Sequence, residues 1–149
     1  MLHFCEYEKK MQKKVFLFFE KCLPQSGRVF EPEGRHKILK DIDAYYDYFL
    51  CLMDDDEIAG TVALKKINNQ KCELRSLYLL EKYHGKGYGK KLMQNFLSFA
   101  KEKGYSEILL DTIEADSKKA IGLYKRLGFV ETEKYKETEF SDVFMKLML

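Results

Sequence analysis

The chain has no tryptophan, two prolines and nine glycines in 149 residues, and it contains no repeat, low-complexity tract or linker. Pro24 and Pro32 bracket a single loop containing Ser26-Gly27, so nothing divides the sequence and residues 1–149 read as one domain. Long apolar runs are missing: the longest, Val15-Phe16-Leu17-Phe18-Phe19, falls far short of the roughly 20 residues a bilayer span needs. Charge of one sign is missing too. With 26 Lys and Arg interspersed among 24 Asp and Glu, the formal charge is +2, which argues against nucleic acid or a membrane surface as the main partner. Cys5, Cys22, Cys51 and Cys72 form no C-x-x-C pair and there are three histidines, so no zinc site, other metal centre or disulfide framework is expected. Reduced thiols in a cytoplasmic protein fit that usage. Acids in Met1 to Glu8, where a secretion leader starts basic, predict no leader. What is present is 46% apolar and 14% aromatic, enough for a folded core.

Apolar alternation over Leu2 to Tyr7 predicts a short strand. Tyr7, Met11, Val15, Phe18, Phe19 and Cys22 then recur at helical spacing up to Pro24. Lys9, Lys10, Lys13 and Lys14 on that helix are surrounded by Glu6, Glu8 and Glu20, a solvated face. A second short helix is expected over Arg35 to Ile42. Strands follow over Tyr45 to Met53 and Glu57 to Lys65, with Asp54-Asp55-Asp56 as a hairpin turn lacking the alternating ligand spacing of a calcium loop. After a turn at Asn68-Asn69-Gln70 comes the strand Cys72 to Leu80, which closes an antiparallel meander. A helix is predicted from Tyr88, Leu92, Met93, Phe96, Leu97 and Ala100, with Gly104 as its left-handed cap. The apolar strand Glu107 to Asp111 suits parallel pairing with the preceding strand. Ser117 is expected to N-cap a helix that Gly128 ends, and Phe129 to Tyr135 and Val143 to Leu149 close the fold. The expected class is α/β (α+β): a mixed, mostly antiparallel sheet of about seven strands with helices on both faces.

One stretch carries chemistry. In Tyr83-His84-Gly85-Lys86-Gly87-Tyr88-Gly89-Lys90, alternate glycines let successive N–H groups point inward, and the following helix adds its positive end, so a phosphate or pyrophosphate fits. A dinucleotide fingerprint is G-x-G-x-x-G directly after a strand; here the spacing is G-x-G-x-G and Lys90 takes the third glycine's place. A nucleotide-triphosphate loop would need four residues between its glycines and then Lys-Ser or Lys-Thr, neither of which occurs.

These residues resemble the acyl-CoA-dependent N-acetyltransferases of the GNAT superfamily. The loop His84-Gly85-Lys86-Gly87-Tyr88-Gly89 is similar to that family's pyrophosphate loop, with His where Arg or Gln is usual. The likeness extends through Cys72-Glu73-Leu74-Arg75-Ser76-Leu77-Tyr78-Leu79, Leu110-Asp111-Thr112 and Ala120-Ile121-Gly122-Leu123-Tyr124-Lys125-Arg126-Leu127-Gly128-Phe129, over roughly the last 90 residues. Ser117 stands where many members carry an Asn that contacts coenzyme A.

The resemblance implies direct acetyl transfer from acetyl-CoA to a primary amine of a small molecule or peptide. It implies that the main chain of Leu77, Tyr78 and Leu79 pairs with the pantetheine arm and that His84, Gly85, Lys86, Gly87, Tyr88, Gly89 and Lys90 hold the pyrophosphate. Tyr124 would protonate the departing thiolate, a fitting role for a phenol with a pKa of about 10 beside a thiol near 8.5. Glu73 stands in the place of a general base in one branch of the family, or pairs with Arg75 on the same strand face. Arg28, Phe30, Arg35, Tyr45, Tyr135 and Phe140 form a loose pool for the amine site. A non-catalytic acyl-CoA sensor and a degenerate dimerisation domain are the rival readings, and either a monomer or a homodimer is compatible with the sequence.

Overall fold

Seven strands form one sheet in the computed structural model, which describes residues 1–149. They are β1 (Leu2–Glu6), β2 (Tyr48–Asp54), β3 (Glu57–Lys66), β4 (Lys71–Leu79), β5 (Glu107–Thr112), β6 (Val130–Glu131) and β7 (Val143–Met148). The spatial order is β1-β2-β3-β4-β5-β7-β6, and the β4–β5 pair alone is parallel. Four α-helices accompany them: α1 (Gln12–Gln25), α2 (Ile42–Tyr45), α3 (Tyr88–Glu102) and α4 (Lys118–Arg126). Strand alternation puts Phe49 and Tyr48 on opposite faces. Phe19 of α1 packs edge-on against Phe49 while Phe99 of α3 stacks on Tyr48 at 3.7 Å, so α1 and α3 cover opposite faces of the sheet.

Three helices end in the same way. At α1, α3 and α4 a glycine at positive φ (Gly27, Gly104, Gly128) follows the last turn, and the next residue's N–H reaches back five positions: Arg28 to Leu23 O, Tyr105 to Ala100 O, Phe129 to Tyr124 O. The motif at Gly128 seats Phe129 against Tyr124, ring centroids 5.6 Å apart, and the motif at Gly27 turns Arg28 back across the sheet.

Several expected elements are placed differently. The helix predicted over Arg35 to Ile42 is a 3-10 turn over Lys37–Lys40, followed by the four-residue α2. Asp41 separates them because its extended backbone ends the first and its carboxylate accepts the Ala44 N–H to cap the second. Tyr45 therefore ends α2 and β2 begins at Tyr48. The strand predicted over Phe129 to Tyr135 is two residues long, since the chain leaves the sheet to bring Tyr135 and Lys136 inward. Ser117 stands at the start of α4 but makes no side-chain cap, because its hydroxyl is taken by Thr112 Oγ1 at 2.6 Å and Arg28 Nη2 at 2.7 Å. All four cysteines are free thiols, three of them buried and Cys5 half-buried. No helix is long and apolar enough to cross a membrane.

Candidate active site

The parallel pairing of β4 with β5 ends after Glu73↔Leu109, and beyond it the two strands diverge. A bulge helps to part them. Between Thr61↔Tyr78 and Ala63↔Arg75, β4 holds one more residue than β3, and Ser76 takes a left-handed φ of 50°. That strained backbone is held from two sides: the Thr61 hydroxyl donates to Ser76 O at 2.7 Å, and Tyr46 Oη lies 2.7 Å from Ser76 Oγ. Nothing in the local sequence marks Ser76 or Tyr46 for this task.

The Leu80 N–H pairs with Ala59 O on the β3 side, so by alternation the main chain of Leu79 and Leu77 faces the unpaired edge. His84 confirms that direction, since its Nε2 hydrogen-bonds the Leu79 carbonyl at 2.8 Å from the open side. The divergence opens a cleft of about 900 Å³ lined by Leu77, Tyr78, Leu79, His84, Gly85, Gly87, Gly89, Lys90, Ser117 and Tyr124. Cys22 also lines it as a thiol, its pKa pushed up to about 12 by burial.

At one end of the cleft, Gly85 and Gly87 adopt φ of 76° and 82°, and a Cβ on either would meet no atom within 4 Å. The first main-chain bond into α3 is Lys91 N–H to Gly87 O, so the six N–H groups from Gly85 to Lys90 have no main-chain partner. Six unpaired donors around open space at a helix N-terminus fit a pyrophosphate, the group that coenzyme A presents. Lys86 and Tyr88 belong to this loop without lining the cleft.

Tyr124 is buried at the cleft wall with no side-chain hydrogen-bond partner, and burial holds its phenol pKa well above the ordinary value, opposed by the Arg28 guanidinium. Arg28 lies over the Tyr78 ring at 5.5 Å and bonds Ser117 Oγ, bridging the end of α1 to the start of α4.

Glu73 does not line the cleft. Its carboxylate, 5% exposed as a residue, accepts hydrogen bonds from Arg75 Nη1 (2.7 Å), the Tyr135 hydroxyl (2.7 Å) and Lys136 Nζ (2.9 Å). Burial pushes its pKa up, but the Arg75 charge and the three hydrogen bonds together hold it below the usual range. Lys136 also lies 2.9 Å from Asp111 Oδ1, and the Ser141 hydroxyl donates to Asp111. The loop between β6 and β7 is thus pinned to β4 and β5. Of this network, Glu73 and Tyr135 were legible as candidates, while Lys136, Ser141 and the pairing role of Asp111 carried no local signal.

Of the remaining candidates, Arg35 and Phe140 line the cleft with the guanidinium 4.6 Å from the ring centroid. Phe30 packs on Phe16 and His36, and Tyr45 carries Lys65 and Arg75 against its ring; neither lines the cleft. His36, which sequence reasoning passed over, does line it. No group of three or more His, Cys, Asp or Glu converges on a metal site.

Residues 14–129 match the acetyltransferase (GNAT) family. The chain is 30% identical over 103 residues to N-alpha-acetyltransferase 30 of Schizosaccharomyces pombe, covering 66% of this chain and 68% of that one. It is 32% identical over 89 residues to human N-acetyltransferase 8B (56% and 39%), and 34% identical over 86 residues to mycothiol acetyltransferase of Corynebacterium efficiens (58% and 29%). It thus spans less than half the length of these last two. Two solved structures share the fold: an acetyltransferase from Streptococcus agalactiae (TM-score 0.88, 20% identity, 99% and 98% covered) and PaiA N-acetyltransferase from Thermoplasma acidophilum in complex with coenzyme A (TM-score 0.78, 23%, 100% and 99%).

Proposed function

The chain belongs to the acetyltransferase (GNAT) family, and from that premise we propose that residues 1–149 act as one domain moving an acetyl group from acetyl-CoA directly to a primary amine of a small molecule or peptide. The observation that carries this reading is the conjunction of six unpaired N–H groups at Gly85 to Lys90 with the open edge of β4 and the Tyr124 hydroxyl in one cleft. The relatives support both acceptor kinds, one being an N-alpha-acetyltransferase and another a mycothiol acetyltransferase.

Acetyl-CoA supplies the activated acyl group as a thioester. The loop amides hold its pyrophosphate, and the Leu77 and Leu79 main chain pairs with the pantetheine as an added strand would, with the Leu79 N–H facing the thioester oxygen as it gains charge. His84 must then give up the Leu79 carbonyl. The neutral amine attacks to form the N–C bond, the C–S bond breaks as the adduct collapses, and Tyr124 donates its hydrogen to the departing sulfur and regains one from the proton that the amine nitrogen sheds; burial keeps the phenol protonated until it is needed. We assign Glu73 to positioning the β6–β7 loop, since a carboxylate held by three donors at a lowered pKa is a poor proton acceptor. Purified protein incubated with acetyl-CoA and amino acids, polyamines, aminoglycosides or peptides, with free thiol as the readout, tests the proposal. Thiol release with one acceptor class supports transfer. Binding of acetyl-CoA with no transfer to any amine would instead mark an acyl-CoA sensor.

A further inference from the structure

The wall of the cleft between α1 and α2 contains a contact that protein groups alone leave unresolved. His36 is 9% exposed, and its Nδ1 accepts the Glu31 N–H at 2.9 Å. A neutral imidazole that accepts at Nδ1 carries its hydrogen on Nε2. His36 Nε2 lies 3.3 Å from Arg35 Nε, another N–H donor with no acceptor capacity. Two donors therefore face each other with no acceptor between them. The nearby Glu31 carboxylate does not resolve the contact, because it stands 3.7 Å from Arg35 Nε and is half exposed.

The charge around this contact is unbalanced as well. Glu73, behind the cleft, and Asp111, which lines it, are matched by Arg75 and Lys136, two negative charges against two positive. Arg28 has no carboxylate partner, bonding Ser117 Oγ and lying 3.5 Å from Asp116 O. Burial and the charges of Arg35 and Arg28 hold the His36 pKa down, with Glu31 opposing, which keeps the ring neutral and Nε2 a donor. The Arg35 guanidinium lies over the Phe140 ring, 4.6 Å from its centroid, a cation–π contact that helps to hold it in place.

We propose that the acceptor amine carries a carboxylate, and that this carboxylate binds at Arg35 and His36, one oxygen taking both facing donors while the Arg35 fork and the Arg28 charge hold the rest. The planar fork of a guanidinium matches a carboxylate in geometry and charge. Free amino acids and related amino carboxylates are the substrate class this chemistry recognises, so the inference deepens the acetyl-transfer reading and its kinetic arm rests on it.

The test pairs α-, β- and γ-amino acids with their carboxamides as acceptors, in wild type and Arg35→Gln. Wild type should show a KM about tenfold or more lower for the acid of the preferred pair, the worth of one or two hydrogen bonds to a charged group. Arg35→Gln should bring the pair to within about twofold, with acetyl-CoA affinity unchanged. Equal KM for acid and amide in wild type overturns the inference while leaving acetyl transfer standing. Loss of acetyl-CoA affinity in Arg35→Gln also overturns it, by giving the site to a phosphate of the coenzyme. A second arm needs no turnover. The chain has three histidines, so the NMR signal missing in His36→Asn identifies His36. Adding the amino acids should move that signal saturably and raise the ring's pKa, because a bound anion stabilises the imidazolium; the carboxamides should leave it in place. A His36 signal unmoved by every carboxylate overturns the proposal even if no acceptor is ever turned over.

Discussion

Glu73 and Lys136, 63 positions apart in the chain, meet at 2.9 Å behind the cleft, and through that pair the loop between β6 and β7 is tied to the strands that diverge to form the site.

Replacing Lys136 by Met should expose this tie thermodynamically. Glu73 and Asp111 both have folded-state pKa values held below their ordinary range. Each therefore contributes stability that is fully present above the unfolded value, near 4, and is lost as pH falls through the lower folded value. Lys136→Met removes a cation from the buried Glu73 and the half-buried Asp111 and so raises their folded-state values toward the unfolded one; the loss of stability on acidification should therefore be smaller and be complete at a higher pH. At pH 7 the cost should be on the order of 2–3 kcal/mol, toward the low end for breaking a buried pair because the lysine is partly exposed. Urea midpoints between pH 3 and 7 measure both effects.

Glu73→Gln separates positioning from base catalysis. With the carboxylate positioning the β6–β7 loop, the variant should raise the amine's KM and leave the acid limb of the kcat pH profile where it is. Disappearance of that limb with a kcat loss beyond about a hundredfold would make Glu73 the base.

Gly87→Val should abolish acyl-CoA binding in a folded protein. Its φ of 82° costs a β-branched residue about 1–2 kcal/mol, and the new side chain would enter space that no protein atom fills. Gly89→Ala is the control: a Cβ there makes an ordinary 3.6 Å contact with Leu123, and binding should persist. Calorimetric titration with coenzyme A reads both variants.

Tyr124→Phe should lower kcat by roughly ten- to a thousandfold with acetyl-CoA affinity little changed, because the ring keeps its packing on Phe129 and only the hydroxyl is lost. The deficit should shrink for acyl donors whose leaving thiol is more acidic. A variant with wild-type turnover on a verified acceptor would make Tyr124 a packing residue.

The sequence by itself determined what depends on neighbours a few positions away. Alternation wrote the strands, helical spacing wrote α1, α3 and α4, and the glycines of 85–89 declared a loop of bare amides before a helix, because each of these is a demand of local backbone conformation. Tertiary structure decided the rest. Ser117 stands at the expected helix start, yet Thr112 and Arg28 take its hydroxyl; Glu73 pairs with Arg75 as its strand face allowed, and then also with Tyr135, the last residue of an expected strand, and with Lys136 just beyond it. The bulge at Ser76 and the facing donors of Arg35 and His36 were equally invisible. A polar side chain satisfies itself with whatever partner the fold brings within 3 Å, and when that partner lies tens of residues away no periodicity or spacing records it.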